Sequence, residues 1–211
     1  MTTHSDYQRN PRLMKVEPVV LDGEHVKLVP LSMDHFGQLC EVGCDLGLWQ
    51  WTSGNFMTPE RMHKYIQDAL KCQAEGSAIP FATILKSTSK VVGSTRFANI
   101  DKANRHVEIG WTWIGQPWQR TFVNKEAKYL MLQHAFETLG CIRVEFKTDV
   151  NNQKSRQALA GIGAKEEGIF RNHMIMENGR IRDSVYFSII DSQWPEVKAN
   201  LQEKLLRQYV G

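Results

Sequence analysis

A glutamate inside an otherwise apolar strand pattern is the first residue of this chain whose type and setting could do chemistry. Glu108 stands in VEIGWTWI, Val107 to Ile114. Strand side chains alternate, so Glu108, Gly110 and Thr112 are expected on one face, with Val107, Ile109, Trp111 and Trp113 on the core face. A carboxylate beside Gly110 could accept a proton from an ammonium nucleophile, directly or through water. The same residues fit a strand-end glutamate paired with Arg96 or Arg105. Just downstream, Gln119-Arg120-Thr121-Phe122-Val123-Asn124 opens a helix, whose free amides favour an anion. Asn152-Gln153-Lys154-Ser155 opens another, where asparagine is a capping residue by type and Ser155 offers a hydroxyl. Trp49, Trp51 and Phe56 lie between the first two helical segments and could cover an amine or belong to the core rim. Arg171, His173, Arg180 and Arg182 flank a hairpin, either as its solvated end or as contacts for a substrate.

Other chemistries lack their constellations. The chain has no HExxH, GxSxG or Walker A motif, and its seven histidines are scattered without metal-ligand spacing, so no metal site is expected. Gly161-Ile162-Gly163 ends a helix where a dinucleotide fingerprint would open one. Cys40 and Cys44 fit a buried pair of thiols on one helix face. With no CxxC among its four cysteines, the chain suits a reducing cytoplasm. Net charge is +3 and the charged residues are interspersed, which gives no support for general nucleic-acid binding. No apolar run approaches the ~20 residues that span a bilayer. Residues 1–18 are polar and read as a loose arm, and residues 19–211 as one domain.

The elements that must position these residues alternate along the chain. His25 to Pro30 reads as a strand, Ser32 caps a helix towards Gly47, and Thr58-Pro59 opens a helix ending near Gly76. Pro80–Leu85, Val91–Ile100 and Arg105–Ile114 read as an antiparallel run of strands. From Val123 the apolar residues recur at helical spacing as far as Leu139, and Gly140 follows as a C-cap. A strand over Ile142–Thr148, a short helix stopped by Gly163, a hairpin turning at Asn178-Gly179 and a last helix from Ser192 to Gln208 complete the order. The apolar face of that last helix, Trp194, Val197, Leu201 and Leu205, packs on the body or on a second subunit.

This order, with EIGWTW at Glu108 to Trp113, Asn152-x-x-Ser155 and the segment Ile162 to Gly168, resembles the GNAT acetyltransferases, and more closely their RimJ/RimL-type branch. The resemblance covers roughly Leu21 to Ile190. It implies an α/β fold, a twisted mixed sheet splayed at its centre near Trp113, with helices on both faces. It also implies acetyl-CoA as acyl donor and an amine acceptor, a protein N-terminus or a small molecule. By that resemblance Glu108 serves as base, and the amides near Trp113 and Ile114 face the thioester carbonyl. Gln119, Arg120, Thr121, Phe122, Val123 and Asn124 occupy the pyrophosphate loop, with Phe122 where the family has glycine. Asn152 contacts the pantetheine arm. Ser155 takes the role of stabilising the thiolate, since Leu159 stands where many relatives carry a tyrosine acid. Trp49, Trp51, Phe56, Arg171 and His173 fall on the acceptor side. A non-catalytic acyl-CoA-binding domain on the same fold is the rival reading, and a homodimer is compatible with the exposed sheet edges.

Overall fold

The computed structural model describes residues 14–52 and 54–209. Its strands are β1 Leu21–Asp22, β2 Val26–Pro30, β3 Ile79–Leu85, β4 Lys90–Asp101, β5 His106–Ile114, β6 Arg143–Asp149, β7 Lys165–Ile175 and β8 Ile181–Ile190. The helices are α1 Phe36–Gly43, α2 Leu46–Trp49, α3 Pro59–Ala74, α4 Phe122–Gln133, α5 Gln153–Gly161 and α6 Trp194–Tyr209. All the strands join one mixed sheet in the order β1-β2-β3-β4-β5-β6-β8-β7. Two cores sandwich it. The larger packs α4 and α6 on one face through Val123, Ala127, Met131, Val197 and Leu201; the smaller packs α1 and α3 on the other through Leu39, Met62, Ile66 and Trp113. Met14 is already buried in the larger core, so the body takes in part of the segment expected to be a loose arm; residues 1–13 lie outside the described residues.

One strand pair sets the site. Every neighbouring pair is antiparallel except β5 and β6. Their parallel register runs from His106↔Arg143 only to Glu108↔Glu145. Past that pair both strands continue but part company, leaving main-chain groups of Ile109–Ile114 facing a gap instead of a neighbour.

A β-bulge decides which side chains meet that gap. Arg96 pairs with Gly110 and Ser94 with Trp113, so Trp111 and Thr112 together oppose Thr95, and Trp111 takes φ +53°. The extra residue inverts the alternation expected from the sequence. Thr112 joins the α4 side with Val107 and Ile109, its hydroxyl 2.7 Å from that of Thr95. Trp113 crosses to the α1–α3 side, and Trp111, expected in the core, is 47% exposed under the Arg96 guanidinium.

Local signals explain most helix ends. Thr58 caps α3 by accepting the Arg61 N–H, and Gly163, after α5, sits at φ +92°, a conformation costly for other residues. The helix expected from Ser32 to Gly47 instead stops at Gly43, because Asp45 caps a new one by accepting the Gly47 N–H at 2.8 Å. Cys44 is thereby left exposed past the end of α1 and Cys40 half-buried, so the expected buried pair of thiols does not form. The long central helix closes with a π-turn over His134–Thr138 before Gly140. The apolar face of α6 is buried against the body, and Trp194 Nε1 donates to Glu137 at 2.8 Å.

Gly93 lies where β4 crosses the bulged end of β5, and a Cβ there would stand 2.1 Å from the Trp113 carbonyl oxygen. Backbone cannot yield as a side-chain tip can. Gly93→Ala is therefore expected to lower the denaturant midpoint at unchanged m-value, corresponding to a stability loss of roughly 3 kcal/mol.

Candidate active site

Glu108 is the last β5 residue paired with β6, so its carboxylate sits where the gap opens. It is 4% exposed. One oxygen accepts the Asn99 amide at 2.7 Å and lies 3.4 Å from Lys147 Nζ; the other rests over Gly110, where a Cβ would meet it at 2.7 Å. The ion pairs with Arg96 or Arg105 expected from sequence do not form: Arg96 lies between the Tyr65 and Trp111 rings instead. Asn99 reaches the carboxylate from a bulged stretch of β4 at φ +47°.

Ionisable groups line this sheet face outward from Glu108. Lys147 on β6 pairs across to Tyr186 on β8, whose ring stacks with Phe170 at 4.5 Å and lies 5.8 Å from the His173 ring. Burial raises the Tyr186 phenol, and the Glu108 and Glu145 carboxylates add to the rise. Burial, then the nearby Lys147 and Arg182 cations, hold His173 below the ordinary histidine range. Further along, Arg180 Nη2 bonds the fully buried Asp149 at 2.5 Å and its guanidinium covers the Trp51 ring at 5.5 Å. Arg182 is buried beside Asp149 and Arg180 is half-buried, so both are tied to an interior carboxylate and do not form a freely solvated hairpin end. An open cleft of about 440 Å³ lies next to them, lined by Trp49, Asn55, Arg61, Glu177 and Arg180 among others.

The aromatic candidates divide. Trp49 packs edge-on against Phe56 and Trp113, both of which also meet Tyr65, and Trp49 is 5% exposed, a core position whose edge reaches the cleft. Trp51 is half-buried beneath Arg180. Arg171 is exposed on β7, the edge strand of the sheet.

On the other face, α4 begins beside the gap. Thr121 caps it, accepting the Val123 N–H at 3.3 Å and donating to the Trp118 carbonyl at 2.7 Å. Gln119 ties the loop to the end of β5 through the Ile114 carbonyl at 3.0 Å, and Arg120 is exposed at φ +63°. The Gly115 N–H is engaged with Val92 on β4, so alternation turns the Ile114 amide towards the gap. Phe122 packs its ring against His25 and Tyr209, and Val123 is buried in the larger core. Asn124 Oδ1 is buried with no hydrogen-bond partner among the described residues. Across the gap, Asn152 caps α5 by accepting the Ser155 N–H at 3.0 Å, Ser155 is half-buried, and Leu159 is core.

Sequence reasoning missed Asn99, Lys147, Tyr186 and Lys128. Lys147 had a signal, because Glu145, Lys147 and Asp149 alternate with buried Val144, Phe146 and Thr148. Lys128 had one too, since it follows Asn124 by one helical turn on the inner side of α4. Asn99 had none, because its reach depends on a bulge. The described residues contain no group of three or more metal-ligating side chains and no helix long and apolar enough to cross a membrane.

Comparison with known proteins gives a consistent result. The family model described as an acetyltransferase (GNAT) domain matches residues 25–165. The chain is 26% identical over 172 residues to the uncharacterised N-acetyltransferase p20 of Bacillus licheniformis, spanning 81% of this chain and 96% of p20. It is 25% identical over 121 residues to the [ribosomal protein uS5]-alanine N-acetyltransferase of Escherichia coli K12, spanning 57% of this chain and 61% of that one. Among solved structures, a GCN5-related N-acetyltransferase from Brucella melitensis superposes with a TM-score of 0.85 at 32% identity, covering 90% of this chain and 87% of its own.

Proposed function

The chain belongs to the GNAT family of N-acetyltransferases, and from that premise we propose that it transfers acetyl from acetyl-CoA directly to a protein N-terminal amine held on the Glu108 face of its sheet. The observation that carries this reading is a buried carboxylate, fixed by Asn99 and Lys147, at the point where β5 and β6 part.

The chain's own groups suit a CoA arm. The gap offers unpaired strand edges, the start of α4 offers amides not taken by Thr121, and the buried Asn124 Oδ1 lacks a donor. Phe122, whose ring is engaged by His25 and Tyr209, need not lie across that helix start. Bound there, acetyl-CoA supplies an activated thioester. Glu108 then takes a proton from the acceptor amine, the Ile114 amide offers a donor to the carbonyl oxygen, and Ser155 stands at the start of α5 as a hydrogen-bond donor to sulfur. Asn152, already engaged as a cap, keeps its amide N–H groups for the arm. An acyl-enzyme on Cys141 is disfavoured, because burial pushes that thiol up to about 12.

For the acceptor, the open cleft between the α2–α3 loop and the β7–β8 turn leaves room for a chain end; Trp49, Arg180 and Glu177 offer it aromatic and charged contacts, and Trp51 backs Arg180 from beneath. His173 lies inward of these and Arg171 outward on the edge strand. We place the reaction in the cytoplasm with its cysteines reduced, and take the sheet edges rather than α6, whose apolar face is used internally, as the contact for a second copy.

Calorimetric titration with acetyl-CoA, CoA and dephospho-CoA, followed by thiol-release assays, tests the reading. Acetyl-CoA should bind at micromolar concentration. Peptides with free N-termini should release CoA faster than Nα-blocked lysine peptides or polyamines. Transfer only to small amines would overturn the acceptor class. CoA binding with no transfer to any amine would favour the non-catalytic acyl-CoA-binding domain that Leu159 suggests.

A further inference from the structure

We propose that Lys128 is the proton donor to the departing CoA sulfur, standing at the α4 side of the gap between β5 and β6. This inference rests on the acetyl-CoA reading above. Thr121, Asn124 and Lys128 follow one another at helical spacing on the same side of α4. Lys128 Nζ donates to Thr112 Oγ1 at 2.6 Å and lies 5.9 Å from the centre of the Phe146 ring. Thr112 belongs to the part of β5 beyond its last pairing with β6, and Phe146 is one residue past the last paired residue of β6. The amine therefore lies on the α4 face of the sheet, against side chains that both strands carry past their last pairing.

Nothing in the fold requires an amine there. Lys128 is 5% exposed and, among the described residues, makes no ion pair and one hydrogen bond for the three N–H donors of its charged form. A buried ammonium without a contacting counter-ion is costly, and an apolar side chain would fill the site better. Among the described residues Glu108 is the one charged group whose field favours the ammonium, from across β5. Burial brings Lys128 down to about 7, so it can both hold and release a proton near neutral pH.

The transfer reaction needs such a group. As the acceptor nitrogen bonds to the acetyl carbon, the C–S bond breaks and the nitrogen sheds a proton to Glu108. Sulfur takes a proton from the Lys128 ammonium, CoA leaves as the thiol, and solvent returns the Glu108 proton to the neutral Lys128 amine. The other candidates cannot serve as the acid: Leu159 has no proton to give, the Ser155 hydroxyl is a very weak acid, and the Cys141 thiol is held high.

The test compares Lys128→Gln and Lys128→Arg with the parent, after thermal melts establish that each is folded. Binding of CoA and of acetyl-CoA is measured by calorimetry, and kcat for a peptide acceptor is measured from pH 6 to pH 9. In the parent, kcat should fall on the alkaline side as Lys128 loses its proton. Lys128→Gln should lose about 10²-fold in kcat together with that alkaline fall, and should weaken CoA about tenfold while acetyl-CoA changes less than about twofold. Lys128→Arg should keep CoA affinity but not kcat, because guanidinium holds its proton. Equal loss of CoA and acetyl-CoA affinity, full kcat in Lys128→Arg, or an unchanged pH profile in Lys128→Gln would each overturn the assignment and leave a tether to Thr112. If the parent binds neither CoA nor acetyl-CoA, the acetyl-CoA reading itself fails and this inference falls with it.

Discussion

Glu108→Gln is expected to lower kcat for peptide acetylation by about 10²- to 10³-fold, with acetyl-CoA affinity within about twofold of the parent. Glutamine keeps the volume of the side chain over Gly110 and still offers an oxygen to the Asn99 amide, so the packing of β5 on β4 should survive. What it removes is the basic oxygen that can take the acceptor's proton and the negative charge that faces Lys147 at 3.4 Å. A loss confined to kcat distinguishes that role from a structural one, because a carboxylate serving only as the buried partner of Asn99 and Lys147 would show its removal in stability and not in turnover. The thiol-release assay across pH is the measurement. If kcat and its pH dependence match the parent, proton removal passes through water without the carboxylate, and Glu108 is only the partner of Asn99 and Lys147.

Asn99→Ala separates the two components of that environment. It removes the 2.7 Å donor while leaving the carboxylate and Lys147 in place, so in the thiol-release assay its effect on kcat should be smaller than that of Glu108→Gln.

The contrast between Glu108 and its neighbours shows where sequence reasoning reached and where it stopped. Caps and turns were legible because they are chemically local. Thr58-Pro59, Gly140, Asn152, Gly163 and Asn178-Gly179 each act within a few residues of themselves, and the strands between them follow from alternation. The face of Trp111, Thr112 and Trp113 was not legible, because a tryptophan at φ +53° is imposed by pairing with β4 and not by its own preference. The same bulge hands Thr112 to Lys128. Glu108 could be picked out as the odd residue in an apolar strand, but its partners come from a β4 bulge and from β6, 39 residues on at Lys147. Arg180 and Arg182 looked like a surface cluster for a related reason: Asp149, their counter-charge, is brought to them only by the pairing of β6 with β8.

Free of ligand, the protein should become more stable as pH rises from 7 towards 10, and Lys128→Met should abolish that rise. The ordinary lysine value of 10.5 applies to the unfolded chain, while burial brings Lys128 in the folded one down to about 7, against a smaller opposing pull from Glu108. Between those values the unfolded state binds a proton that the folded state does not, and stability climbs wherever the unfolded state holds more protons. Below about pH 7 both forms are protonated, and the folded one bears the full cost of a buried ammonium. At a limit of about 1.4 kcal/mol per pH unit, the gain across the window amounts to a few kcal/mol. Lys128→Met removes the cost at every pH. It should therefore exceed the parent in stability at pH 7 by a similar amount, less the Thr112 hydrogen bond, and converge with it near pH 10. Chemical denaturation of both proteins at four pH values across the window measures this, and the difference between them cancels the thiols and phenols that also titrate there. A difference that stays constant with pH would mean that Lys128 keeps an ordinary lysine value in the folded chain. A difference that closes with rising pH would mean that the fold carries, at a cost in stability, an amine able to exchange protons beside the β5–β6 gap, as an acid in the transfer reaction requires.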